Sequence, residues 1–124
     1  MISAAVVCLA LNIYHEARGE SLTGQLAVAQ VTLNRISDPR YPDEICEVVY
    51  QRRQFDWTQD PEPVDELGSF ALALFVAQTA LDPSAPDPTH GATHFYSGPA
   101  PYWAPAMNVT NRIGGHTFLK EPSQ

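Results

Sequence analysis

Residues 15–20 read His-Glu-Ala-Arg-Gly-Glu, a knot of charge set between two apolar, helix-forming stretches. The first stretch carries Ala4, Ala5 and Ala10, with Val6, Leu9 and Ile13 beside Val7 and Leu11 on a broad apolar face, so a helix is expected to about Glu16. Gly19 breaks it. Ser21 is a natural N-cap for a second helix, in which Leu22, Leu26, Ala29, Leu33 and Ile36 recur at helical spacing and Val28 and Val31 widen the face. Ser37-Asp38-Pro39 ends that helix, because proline disfavours helical backbone in the residue before it. Two helices that must each bury an apolar face are thus joined by a short turn crowded with charge.

The rest of the chain divides at a proline-rich segment. A short third helix is expected from Tyr41–Asp43 through about Tyr50, with Ile45, Val48 and Val49 facing inward. Gln51 to Pro63 is polar and loop-like yet holds Phe55 and Trp57. Asp65 to about Leu81 reads as a fourth helix with Leu67, Phe70, Ala71, Leu74, Phe75 and Gln78 in register. Pro83, Pro86 and Pro88 force an extended connection. Thr93 to Tyr96 then reads as a strand, and Ser97 to Pro105 as a loop bearing Tyr102 and Trp103. Thr110–Ile113 and His116–Leu119 flank Gly114-Gly115, a two-residue hairpin signal. Helices followed by a small antiparallel sheet near the C-terminus make an α+β, mostly α, class. At 124 residues one domain is expected over residues 1–120, with 121–124 as a frayed tail.

Charge narrows the functions. Fourteen acidic residues against 7 basic ones, with no basic run, argue against nucleic acid as a partner and against adhesion to an anionic membrane. The apolar stretch from Ile2 to Ile13 falls short of the roughly 20 residues a membrane span needs, so no insertion is expected. No basic residue precedes it, so it does not read as a secretion signal, and export would depend on another segment or on a partner. Cys8 and Cys46 are either two buried thiols or one disulfide tying the first helix to the segment after Pro42. His90 and His94 have the spacing of a zinc face, but Pro88, Thr89 and Gly91 oppose a helix there, so neither metal nor other cofactor is expected.

The knot offers the chemistry. Glu16 falls at the C-terminal end of an apolar helix, where the negative end of the dipole and partial burial both favour a protonated carboxyl. Such an acid suits general-acid cleavage of a glycosidic bond; a structural ion pair with Arg18 or Arg35 is the alternative. Glu20 is the competing acid, but one residue before the N-cap it suits the start of the second helix, and it is kept among the groove candidates. A second carboxylate could come from Asp56, Asp60, Glu62 or Asp65, none of which is marked out, so a single acid working with a group on the substrate fits better. Tyr14, Phe55, Trp57, Tyr96, Tyr102 and Trp103 mostly fall in or beside loops. They either cap the core or line a carbohydrate groove.

The strings IYHEARGESLTGQLAVAQVTLNR and YPDEICEVVYQRRQFDW, followed by ATHFY and RIGGHTF, resemble the SleB/CwlJ cell-wall hydrolase family from about Cys8 to Phe118. The resemblance implies a small lysozyme-like domain akin to goose-type lysozymes and lytic transglycosylases. It implies cleavage of the muramic acid to N-acetylglucosamine bond of peptidoglycan glycan strands, outside the cytoplasm, by a monomer. It also implies Glu16 as the catalytic acid, with Gln54, Phe55, His94 and Tyr96 along the groove; Trp103 and Glu20 are further groove candidates. Asp56 departs from the family pattern, standing where relatives commonly carry Ser after the Gln-Phe pair. A hydrolytic muramidase using the same acid, a zinc amidase or peptidase, and a glycan-binding module without activity remain as alternatives.

Overall fold

The computed structural model describes residues 2–51, 55–59 and 62–122. Five helices precede a three-stranded sheet: α1 (Ala4–Ala17), α2 (Leu22–Ile36), α3 (Ile45–Val49), α4 (Asp56–Gln59), α5 (Leu67–Ala80), β1 (His94–Ser97), β2 (Asn108–Ile113) and β3 (His116–Lys120), with one 3-10 turn at Ala104–Ala106. The mixed, mostly helical class expected from the sequence is the one observed.

Helix ends follow local chemistry. Ser3 caps α1, its hydroxyl accepting from the Val6 N–H, and Ser21 caps α2 by accepting from the Gly24 N–H at 3.1 Å. Between them Arg18 leaves the helical region and Gly19 takes φ +88°, a left-handed conformation that costs a glycine little. The Glu20 N–H then donates to the Ala17 carbonyl at 3.0 Å, closing the turn.

Two cores result. In the first, Val6, Leu9, Ala10, Ile13 and Tyr14 of α1 pack against Ala29 of α2 and Ala73, Val76, Ala77 and Ala80 of α5. In the second, Ala17, Ala27, Val28 and Val31 meet Ala92 and Phe118, which fastens α2 to the sheet. The face of α5 differs from the expected one. Leu67, Ala71 and Phe75 are exposed, while Ala73, Val76, Ala77 and Ala80 lie inward and Phe70 and Leu74 pack at the edge of the core. The helix is apolar all round, so periodicity cannot choose its face; small side chains win because they let α1 approach closely. In α2, Leu22 at the first helical position is exposed, and Ala27, Val28 and Ala29 are buried.

The third helix is shorter than expected and begins at Ile45. Upstream, the Asp38 carboxylate accepts from the Arg40 backbone and guanidinium, holding a turn that ends in Pro42. A disulfide joins Cys8 to Cys46, deciding between the two readings of the cysteines and tying α1 to α3. Phe55 and Trp57 sit at and within the short α4, a turn of helix in what reads as a loop.

The sheet has order β1-β3-β2 and is antiparallel throughout, with His94 opposite Leu119 and Ser97 opposite His116. The expected hairpin forms at Gly114-Gly115, with Gly114 at φ +56°. The chain beyond β3 stays engaged at Glu121, whose carboxylate accepts from Arg40 and from the Tyr41 hydroxyl. No described helix is long and apolar enough to cross a membrane.

Candidate active site

The charged knot is a hub. His15 stacks on Trp57 of α4 at 4.6 Å between ring centroids, and the Trp57 Nε1–H donates to the buried Asn12 of α1 at 3.0 Å. Arg18 lies over the Tyr14 ring at 4.5 Å and pairs with Glu66, just before α5, at 2.8 Å. The Tyr14 hydroxyl bonds Asp65 and accepts from the Glu66 N–H, anchoring the same segment. Glu20 reaches the β2–β3 hairpin, where its carboxylate accepts from the Gly115 N–H at 3.0 Å. Charge is tolerated between two apolar helices because each of these groups ties the end of α1 to a different element.

Glu16 sits in the last full turn of α1, half-buried. The buried His116 ring of β3 lies beside this turn: burial lowers its pKa, while the Glu20 carboxylate and the Glu16 backbone favour the charged ring. On its other side His116 meets Phe95 edge to face at 5.2 Å. Phe95 is in turn part of the wall of a cavity of about 370 Å³, lined also by Arg35, Phe55, His94, Tyr102, Trp103 and Met107. His116 and Phe95 thus stand between the turn bearing Glu16 and the aromatic cavity.

The cavity is mostly built by α2, β1 and the loop after β1. Arg35 is almost fully buried; its Nε–H donates to the Thr93 carbonyl at 2.7 Å and its guanidinium lies over Tyr41 at 4.9 Å. Burial, and then the neighbouring charge of Arg35, push the His94 pKa down to about 4, against the pull of Glu121, so this ring is neutral at neutral pH. Trp103 stands 5.5 Å from His94 and 6.2 Å from Tyr96, and Tyr102 is 95% exposed at the rim. A neutral imidazole, a buried guanidinium and flat rings suit a ligand that offers both hydroxyls and apolar faces.

Of the groove residues expected from sequence, Phe55, His94 and Trp103 line this cavity, and Tyr96 stands behind Trp103 on β1. Glu20 turns to the hairpin instead. Gln54 and Asp60 fall outside the described residues, and so does the side chain of Asp56. Phe95, Met107 and the inward placement of Arg35 were not singled out by sequence reasoning. Phe95 had a signal, lying between His94 and Tyr96 in a predicted strand; the placement of Arg35 had none, because an arginine at a helix end ordinarily faces water. Among the described residues no group of three or more His, Cys, Asp or Glu could hold a metal ion.

Residues 19–119 match the family described as Cell Wall Hydrolase. The chain is 33% identical over 115 residues to a spore cortex-lytic enzyme of Halalkalibacterium halodurans, covering 89% of this chain and 33% of that protein. It is 33% identical over 119 residues to a spore cortex-lytic enzyme of Oceanobacillus iheyensis, covering 90% of this chain and 40% of that one. It thus spans well under half the length of these relatives. Among solved structures it resembles the catalytic domain of the germination-specific lytic transglycosylase SleB from Bacillus anthracis, with TM-score 0.78 and 27% identity over 96% of this chain and 97% of that one. The catalytic domain of SleB from Bacillus cereus gives TM-score 0.71 at 27% identity, over 97% and 93%.

Proposed function

The chain belongs to the Cell Wall Hydrolase family, and from that premise we propose that it cleaves the β-1,4 bond between N-acetylmuramic acid and N-acetylglucosamine in peptidoglycan, as a lytic transglycosylase with Glu16 as its one acid and base. The observation that carries this reading is the position of Glu16. It is a half-buried residue in the last turn of α1, with His116 and Phe95 between that turn and an aromatic cavity. The negative end of a helix favours the protonated acid, which is the form that starts the reaction.

The Glu16 carboxyl gives its proton to the bridging oxygen, and the bond from that oxygen to the muramic C1 breaks. The positive charge that develops on the muramic ring is met by the substrate's own N-acetyl oxygen. Glu16, now a carboxylate, takes the proton from the C6 hydroxyl, whose oxygen bonds C1 and closes a 1,6-anhydro ring. The acid ends as it began, and no water is consumed. Phe55, His94, Trp103 and Tyr96 are assigned to the glycan strand, the rings to sugar faces and the neutral imidazole to a hydroxyl or amide. Gln54 is assigned to the same strand on the family resemblance alone.

The domain acts as a monomeric catalytic unit on the wall, outside the cytoplasm. Digestion of purified sacculi followed by mass analysis of the fragments tests the reaction type. Muramoyl ends lighter by one water than reducing ends are expected. Reducing ends that take up oxygen from labelled water would replace the transglycosylase with a hydrolytic muramidase, and sacculi bound without fragment release would leave only a binding module.

A further inference from the structure

The strongest unassigned feature lies behind the site rather than in it. Glu20 and Gly115 are 95 residues apart in sequence, yet the Glu20 carboxylate accepts from the Gly115 N–H at 3.0 Å. The same oxygen stands 3.8 Å from Nδ1 of His116. Nδ1 is buried and has no hydrogen-bond partner. The His116 ring is 5% exposed and packs between Phe95 and Phe118, with centroids at 5.2 and 6.1 Å. A Cβ on Gly114 would meet Glu20 Oε1 and push the carboxylate aside, and the positive φ of Gly114 favours glycine in any case. A buried imidazole with an unsatisfied nitrogen is costly, and an apolar ring of similar size would pack there without that cost. An imidazole at this place points to a polar task.

We propose that Glu20 and His116 form a positioning clasp for Glu16: Glu20 fixes the hairpin to the turn after α1, and His116, held there, bonds the Glu16 backbone and sets where its carboxyl stands. The proposal rests on Glu16 being the catalytic acid. The groups facing His116 are the Glu20 carboxylate from the α1–α2 turn, the Glu16 backbone from α1, Phe95 from β1 and Phe118 along β3. Neither His116 nor Glu20 transfers a proton to substrate in this scheme. Their effect is geometric, and a displacement of about 1 Å at an acid can cost on the order of 100-fold in rate.

The test compares wild type, Glu16→Gln, His116→Phe, His116→Gln and Glu20→Ala by kcat and KM on solubilised glycan strands, with melting temperature as the fold control. His116→Phe keeps the ring's shape without a donor and is expected to lower kcat at least about ten-fold with KM within about two-fold. His116→Gln restores a donor and is expected to recover most of that loss. Glu20→Ala, at a half-exposed position, carries the same expectation as His116→Phe and serves where the latter does not fold. Folded His116→Phe and Glu20→Ala proteins with wild-type kcat would overturn the clasp, as would His116→Gln failing to exceed His116→Phe. Activity in Glu16→Gln would instead overturn the catalytic assignment on which the clasp depends.

Discussion

Single residues in this molecule are placed by what they satisfy. Glu20 illustrates the point: by sequence it is an acid before an N-cap, and in the fold it bonds the hairpin at Gly115. Nothing in the local sequence announces a partner 95 positions away, because side-chain bonds across elements depend on packing rather than spacing. Glu16, in contrast, could be placed at the end of its helix from apolar periodicity and Gly19 alone. His94 carries a pH prediction. Burial and Arg35 hold its pKa at about 4, against 6.5 when exposed. The unfolded chain therefore binds more protons than the folded one between those values, and folding stability falls as pH drops from 6.5 to 4. A shift of that size corresponds to about 3 kcal/mol. Urea unfolding of wild type and His94→Gln at pH 7 and pH 4.5 checks it: the variant, uncharged throughout, is expected to lose less stability on acidification. Parallel losses in the two proteins would contradict the assignment.

Elements were legible where capping and breaking residues mark them. Ser21 and Gly19 fixed the junction of α1 and α2, and Gly114-Gly115 fixed the hairpin. The facing of α5 was not legible, since a helix apolar on every side offers no moment to read, and the choice fell to Ala73, Ala77 and Ala80. The α3 segment is a further case. Its five residues are too few to be stable as an isolated helix, and the Cys8–Cys46 bridge pins it to α1. The bridge spans 38 residues of sequence, a loop for which cross-linking removes about 4 kcal/mol of unfolded-chain entropy in the simplest treatment. Cys8→Ala/Cys46→Ala is therefore expected to be less stable by about 2–4 kcal/mol in denaturant unfolding, and wild type under reducing conditions is expected to match it. Equal stability of the double variant and the oxidised wild type would show that the bridge contributes nothing.

At the scale of the whole molecule, the helical layer and the sheet meet at the knot that opens the second helix. His15 holds α4, Arg18 the approach to α5 and Glu20 the hairpin, while the second core joins α2 to β3 through Phe118. The class and the order of elements, apart from the short α4, could be read from the chain. The cavity could be read only in part, since Phe55, His94 and Trp103 come from separate segments whose convergence is a product of the tertiary fold. The central claim is that one carboxyl in that knot performs the chemistry. The most direct measurement is the rate of anhydromuramoyl fragment release from sacculi by Glu16→Gln beside wild type, at matched melting temperature. A loss of at least about 100-fold is predicted, the range expected when a general acid is removed. Fragment release by the folded variant at the wild-type rate would contradict it.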